Sequence, residues 1–249
     1  MPKPNSGPPF VSAQNPARTG HGPVIQFAVL AIAGLVLVVG VTRFLSGTSL
    51  PSMVLALAGY GFGVVLALVL LRRGFPHPTL GSCNVVTLTR LCLSAALLAP
   101  LGGQTGASWT VFVIAAVALS LDGADGWLAR RGGRVSDFGA RFDMEVDSGL
   151  ALILAVNAWA AGTAGALVLL IGLPRYVFVA ASGAMPWLDR PLPDRFSRKA
   201  VCVLQIGTLI ALQLPVISGG LVTTLVAVAA TALLWSFWCD VAWLRRHRG

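Results

Sequence analysis

Long stretches without a charged residue constrain this chain more than any other feature of its sequence. The longest, residues 200–239, contains no Asp, Glu, Lys or Arg, and about 20 apolar residues suffice for a helix to cross a bilayer. Only 11% of the residues are charged, against about a quarter in soluble domains, and the mean hydropathy is +0.80. The sequence excludes an ordinary water-soluble protein and predicts an all-α, polytopic membrane helical bundle.

Charge-free intervals, and the Gly- and Pro-containing turns inside them, place eight membrane helices. The predicted spans are residues 24–44, 52–71, 83–100, 108–131, 139–161, 165–187, 199–215 and 221–244. Residues 1–20 are rich in Pro, Gly, Ser and Asn and predict a disordered cytoplasmic arm. The predicted domains are therefore this arm, an N-terminal transmembrane helix pair at 21–79, and a six-helix portion at 80–249.

Lys and Arg gather on one side of the predicted spans. The loops near 45–51, 102–107, 162–165 and 216–220 carry no charge, whereas the loops on the side of both termini are basic. Short cytoplasmic loops keep an excess of Lys and Arg, so we expect both termini to be cytoplasmic. The net charge of +9 then reflects topology, and we expect no nucleic-acid partner. A multi-pass protein of the bacterial cytoplasmic membrane is expected.

Acidic residues are rare, and most of them lie in one short segment. The chain has nine, and six fall between residues 122 and 147: Asp122, Asp125, Asp137, Asp143, Glu145 and Asp147. Spacings of three and four residues place side chains on one face of a helix. The short turn after residue 131 makes the two helices antiparallel neighbours, so four aspartates are expected to meet at the cytoplasmic end. Asp137 fits a helix start, and no role is predicted for Glu145.

Carboxylates this close repel one another and need cations, since each charge costs about 2.5–3.5 kcal/mol in a membrane even on a lenient scale. Arg130 and Arg141 are candidate partners, and oxygen-rich clusters also suit Mg²⁺, Mn²⁺ or Ca²⁺. Mg²⁺ often keeps positions for substrate phosphates. The alternative is a solvated loop with ordinary helix-end charges, which explains Asp137 but not Asp122 and Asp125 at the end of an apolar span.

One spaced pattern runs through both acidic helices: Asp122-x-x-Asp125-Gly126-x-x-Ala129-Arg130, eight residues, then Gly139-x-x-x-Asp143-x-x-x-Asp147. All eight positions match the signature of the CDP-alcohol phosphotransferase (CDP-alcohol phosphatidyltransferase) family, which the chain therefore resembles. Upstream, Asn84-x-x-Thr87-x-x-Arg90 is similar to the family's first-helix pattern. The resemblance covers about residues 80–245 and leaves the first two spans outside.

The resemblance implies a six-helix, commonly homodimeric membrane enzyme with its site open to the cytoplasm. Such an enzyme moves a phosphatidyl or related phosphoryl group from a CDP-linked lipid donor, here expected to be CDP-diacylglycerol, to an alcohol acceptor, with release of CMP, in phospholipid biosynthesis. By position, one or two Mg²⁺ (or Mn²⁺) ions are bound by Asp122, Asp125, Asp143 and Asp147. Asp147 is also the candidate general base. The implied CDP pocket comprises Gly126, Ala129, Arg130, Gly139, Asn84, Thr87 and Arg90; helix packing is the alternative for Arg90.

Three more basic residues are candidates for binding phosphate or the acceptor: Arg175, Arg198 and Lys199. Arg175 falls inside the sixth span, where a buried arginine is a functional candidate by default; pairing with an aspartate of the cluster is the alternative. Arg198 and Lys199 open the next span, which resembles the family's basic segment there. Arg198 stands where the family often has Gly, and Ser148 where several phospholipid synthases have Lys or Arg.

Two other kinds of function are weighed against the enzyme. A transporter or ion-binding membrane protein would carry acids near mid-membrane, whereas these lie at one interface. A catalytically idle family member with a binding role would not be expected to keep all eight motif positions.

Overall fold

A computed structural model describes residues 21–73, 75–103, 107–132, 136–185 and 196–246, and these residues contain helices and no strand, which confirms the predicted all-α class. The predicted arm at 1–20 lies outside them. In chain order the helices are α1 His21–Ser46, α2 Leu50–Arg72, α3 Ser82–Ala96, α4 Trp109–Gly132, α5 Asp137–Ala160, α6 Leu169–Gly172, α7 Pro174–Ala184, α8 Phe196–Ala211 and α9 Gly220–Arg246. Short 3₁₀ turns at Ala99–Gly102 and Ala166–Val168 follow α3 and precede α6.

Each predicted span corresponds to described helix. Within the described residues, four segments are long and apolar enough to cross a membrane: Gly22–Ser46, Leu50–Arg72, Ser82–Gly102 and Gly220–Arg246. The bent pair α6–α7 would make a fifth. Helices α4 and α5 carry the six clustered acidic residues, and α8 has only 16 residues. The count of eight spans, and of six in the core, stays a prediction.

The sixth predicted helix, residues 165–187, is wrong as one continuous helix. α6 ends at Gly172, α7 begins at Pro174, and the chain bends by 62° between them. Proline has no N–H to donate, and its ring clashes with the preceding turn of a helix. The Gln205 side-chain amide of α8 donates to the Ile171 carbonyl oxygen at 2.6 Å, which satisfies a backbone acceptor beside the break. Arg175 therefore lies immediately after a break rather than inside a straight span.

Helices α3 and α5 are central because they contribute to two hydrophobic cores. The first core joins them to α1 and α2 and includes Leu88 of α3 and Phe142 of α5. The second joins them to α4, α8 and α9 and includes Leu93 of α3 and Leu154 of α5. Inside the apolar region, the Asn157 side-chain amide donates to the Leu97 carbonyl oxygen at 2.7 Å and ties α5 to the end of α3.

The N-terminal helix pair is packed onto this centre. A turn at Gly47, whose φ of +60° favours glycine, reverses the chain between α1 and α2. The Tyr60 hydroxyl of α2 donates to the Ala31 carbonyl oxygen of α1 at 2.8 Å. The ring of Phe27 meets the ring of Phe142 edge-on at 6.0 Å between centroids. The aromatic contact joins α1 to α5 near the end where α5 begins, which we call the site end.

Candidate active site

Arg90 of α3 is the centre of the acidic cluster. Its side chain is 1% exposed, and its Nη1 atom lies 3.0 Å from Asp122 Oδ1. The same Nη1 contacts Asp143, and Nη2 contacts Asp147. The three aspartate side chains are 36%, 35% and 30% exposed, so one buried guanidinium neutralises carboxylates that still reach solvent. The pairing of Arg90 with these aspartates was not predicted from the sequence.

The local sequence explains why these groups converge. Asp122 lies in the second half of α4, and Asp143 and Asp147 lie one turn apart in the first half of α5. α5 begins where predicted, at Asp137, because the Ser136 hydroxyl caps it by accepting a bond from the Gly139 N–H at 3.1 Å. The two helices therefore bring their acids to the site end, where α3 supplies Arg90.

The carboxylate donors fit a divalent cation. Asp122, Asp143 and Asp147 can each offer one oxygen, and these oxygens lie within 4.8 Å of one another. Oxygens on opposite sides of a Mg²⁺ ion lie about 4.1 Å apart, since each bond measures about 2.0–2.1 Å. The spacing of the three oxygens is therefore close to that of ligands around one ion, and these three residues would hold it.

The predicted nucleotide residues of α3 lie on one buried face. Asn84 and Thr87 are each 3% exposed. Thr87 Oγ1 donates to the Cys83 carbonyl oxygen at 3.1 Å. A Cβ atom at Gly139 would lie 3.2 Å from Asn84 Oδ1, so glycine allows the first turn of α5 to approach α3 closely. The structure thus brings Asn84 and Gly139 together, next to the acidic cluster.

Four motif residues fall on the last part of α4: Asp125, Gly126, Ala129 and Arg130. Only their backbone is described, and their side chains lie outside the described part of the structure. Their helical backbone continues from Asp122 toward the site end. Their predicted roles in binding metal and CDP stay predictions.

Glu145 is the residue whose role the sequence analysis missed. The structure pairs it with Arg175 of α7, and the two side chains are 26% and 27% exposed. Arg175 therefore contacts Glu145, which lies between the two aspartates of α5 in sequence but points away from them. Charged residues within apolar segments commonly pair with one another, and that tendency was the signal that could have identified Glu145.

A cavity of about 300 Å³ adjoins the cluster on the α7–α8–α9 side. Asp147, Arg175 and Arg198 line it. Arg198 donates from Nε to Asp240 Oδ2 at 3.1 Å and from Nη2 to Asp240 Oδ1 at 3.0 Å, a two-bond pairing that fixes the guanidinium. The neighbouring Lys199 is exposed. Two of the three candidate acceptor residues thus share a cavity with Asp147.

Comparison with known families identifies the chain. The family model described as CDP-alcohol phosphatidyltransferase matches residues 80–239, well over half of the 249 residues. The match contains the whole acidic cluster and begins after α2. No curated protein and no solved structure matches. Members of the matched family transfer a phosphatidyl group from a CDP-alcohol to an acceptor. The chain belongs to the CDP-alcohol phosphatidyltransferase family.

Proposed function

We propose that this protein transfers the phosphatidyl group of CDP-diacylglycerol to an alcohol acceptor and releases CMP, in phospholipid biosynthesis. The observation that carries the proposal is the convergence of Asp122, Asp143 and Asp147 on Arg90 at one end of apolar helices. Charged groups at the end of apolar helices suit a donor whose CDP head lies at the membrane surface while its acyl chains remain in the bilayer.

The charges of the cluster match the needs of phosphoryl transfer. One or two Mg²⁺ or Mn²⁺ ions held by the four motif aspartates would neutralise charge on the diphosphate. Arg90 and Arg130 supply further positive charge to the same phosphates. The CDP moiety is bound by the other motif positions, namely Asn84, Thr87, Gly126, Ala129 and Gly139.

Asp147 acts as the general base because it faces both the cluster and the cavity of about 300 Å³. It accepts the proton of the acceptor hydroxyl, whose oxygen attacks the phosphatidyl phosphorus as the bond to CMP breaks. Arg175, Arg198 and Lys199 offer positive charge to a phosphate-bearing acceptor. Arg198 is oriented for this by its pairing with Asp240.

The remaining features of the proposal concern organisation. Residues 1–20 form a cytoplasmic arm, 21–79 a transmembrane helix pair, and 80–249 the six-helix catalytic domain. The protein resides in a bacterial cytoplasmic membrane with the site and both termini facing the cytoplasm, and it works as a homodimer. The basic residues near both termini support this orientation.

CMP release is the first test of the reaction. The purified full chain is incubated with CDP-diacylglycerol, Mg²⁺ and a panel of alcohols: glycerol 3-phosphate, serine, inositol phosphate, phosphatidylglycerol and choline. We expect CMP with one acceptor and none without an acceptor. Absence of CMP with every donor and acceptor pair, in protein that still binds CDP, would overturn the proposed reaction.

Asp147→Asn tests the role of the base. Removing a general base slows turnover by about 10²–10⁴-fold, while CDP binding, measured by equilibrium dialysis, should persist. Asp137→Asn is the matched control, because Asp137 is an exposed residue at the start of the same helix. Full activity in Asp147→Asn would show that another group takes the proton.

A further inference from the structure

We propose that a second cavity, between α2, α3 and α5, holds one acyl chain of the CDP-linked lipid donor. This inference rests on the proposed function for the identity of the head group. The cavity measures about 430 Å³, within the range of about 300–1,000 Å³ typical of ligand sites. One of its walls is α2, which lies outside the family match. The proposal thus gives the N-terminal helix pair a role.

The lining of this acyl cavity is chemically suited to a hydrocarbon chain. Apolar side chains from all three helices surround it, among them Phe62, Leu66, Leu91 and Ile153. Among the described residues of the lining, one is charged, Glu145, and it is paired with Arg175. An apolar cavity in a membrane-embedded region gains nothing by holding water, because water there would lack polar partners. A methylene chain fills it without that cost.

Two lining residues of the acyl cavity are chain neighbours of the acidic cluster, on the adjoining faces of α3 and α5. Leu91 follows Arg90 in α3, and Val146 precedes Asp147 in α5. Along α5 the lining extends from Phe142 to Ile153, which is about 16 Å at a rise of about 1.5 Å per residue. A lipid with its diphosphate at the aspartates can therefore direct one chain into this space.

Helix α2 approaches the core closely enough to form a wall because of two glycines one turn apart. A Cβ atom at Gly63 would lie 2.5 Å from Leu91 Cδ1, and one at Gly59 would collide with Leu98. Small residues at such spacing let membrane helices come into close contact. The close approach of α2 therefore depends on these two glycines. Larger residues at the same positions would push α2 away and remove the wall.

The acyl cavity also contains a buried polar group, the hydroxyl of Ser94. It lines the cavity, is 2% exposed, and its Oγ atom has no hydrogen-bond partner among the described residues. Buried hydroxyls almost always have a partner. Ser94 lies one turn beyond Arg90 in α3, the direction in which the ester group of a donor follows its phosphates. The Ser94 hydroxyl donates to the carbonyl oxygen of that ester.

Photolabelling locates the chain directly and needs no turnover. The full chain in lipid nanodiscs is irradiated with CDP-diacylglycerol that carries a diazirine in one acyl chain, and labelled peptides are mapped by mass spectrometry. We expect label on Phe62, Leu66 and Leu152, which line the cavity. A phosphatidylcholine with the same diazirine chain should leave these residues unlabelled. Label elsewhere, or equal label from phosphatidylcholine, would overturn the assignment to the donor.

Two variants fill the cavity from different helices. A Cβ atom at Gly149, which lines the cavity, would meet nothing within 4 Å, so Gly149→Leu adds a side chain there without a Cβ collision. Leu66→Trp does the same from α2, away from the catalytic helices. Both should lose most of the label at Phe62. Gly61→Leu is the matched control, because Gly61 is an exposed glycine of α2 whose Cβ would also meet nothing. Undiminished label in both filled variants would refute the cavity.

Ser94→Ala tests the ester contact. The variant should bind the diacyl donor about two- to tenfold more weakly, the value of one net hydrogen bond. A dialkyl ether analogue lacks the carbonyl and should bind wild type and variant equally. Equal losses for the two lipids would refute the hydrogen bond. Labelling of the cavity without any CMP release would refute the proposed reaction and leave the acyl site standing.

Discussion

Replacing Arg90 by methionine should destabilise the protein when no divalent cation is present. Arg90 is 1% exposed and contacts three carboxylates. Removing one partner of a buried ion pair costs about 3–5 kcal/mol, because the remaining charge loses its neutralisation. The aspartates are 30–36% exposed, so solvent screens part of the loss, and we expect about 2 kcal/mol. In a chain of this size that lowers the melting temperature by about 4–8 °C.

Mg²⁺ should reverse much of this loss, because it competes with Arg90 for the same carboxylate oxygens. A ligand at 100 times its dissociation constant stabilises the folded state by about 2.7 kcal/mol. In Arg90→Met the cation meets three carboxylates without a competing guanidinium. Its affinity should therefore rise, and Mg²⁺ should raise the melting temperature of the variant by more than that of the wild type.

The assay is thermal unfolding in detergent, followed by tryptophan fluorescence, in EDTA and in Mg²⁺. Arg43→Met is the control, because Arg43 is an exposed arginine at the end of α1, and its loss should change stability by no more than about 0.5 kcal/mol. The reasoning is refuted if Arg90→Met melts with the wild type in EDTA. It is equally refuted if Mg²⁺ shifts both proteins by the same amount.

Three further substitutions test the metal site and the packing. Asp122→Asn should weaken Mn²⁺ binding, measured by electron paramagnetic resonance, by at least the roughly 10–100-fold that follows loss of residues merely supporting a ligand. Ser136→Ala removes the cap of α5 and should cost about 1 kcal/mol in the free energy of unfolding. Gly172→Ala places a Cβ 2.6 Å from that of Ala155 and should cost about 1–3 kcal/mol.

Each substitution has a matched control elsewhere in the chain. Asp137→Asn should leave Mn²⁺ affinity unchanged, whereas unchanged affinity in Asp122→Asn would remove that residue from the metal site. Ser182→Ala removes a hydroxyl that donates to the nearby Val179 carbonyl oxygen. An equal loss of unfolding free energy in Ser182→Ala and Ser136→Ala would argue against the cap. Gly165→Ala adds a Cβ that meets nothing within 4 Å, so equal destabilisation would contradict the proposed steric cause for Gly172.

Much of the fold could be predicted because it depends on local composition. Runs of apolar residues without charge define the helices, and turn residues separate them. The break at Pro174 was missed although proline is visible in the sequence. Membrane helices tolerate proline when neighbouring groups satisfy the freed backbone. At the Pro174 break that group is the side chain of Gln205, which belongs to another helix.

In the candidate site, too, one part was predictable from the sequence and another was not. The spacings 122/125 and 143/147 predicted a meeting of carboxylates, and three of these side chains do meet in the structure. Their shared contact with Arg90 was not predicted, because Arg90 belongs to a third helix. The spacing of residues along a chain does not determine how that helix is rotated toward the other two. The Glu145–Arg175 and Arg198–Asp240 pairs join residues 30 and 42 positions apart, and no local pattern connects them.

The sequence by itself determined the helical class, the approximate positions of the helices, the acidic motif and the family resemblance. These depend on hydropathy and on spacing along one helix, which are properties of neighbouring residues. Only the tertiary structure decided which arginine neutralises which acid, where α7 bends, and that α2 encloses an apolar cavity beside the reaction centre. Those outcomes depend on the rotation and approach of separate helices, which are set by packing between residues far apart in the chain.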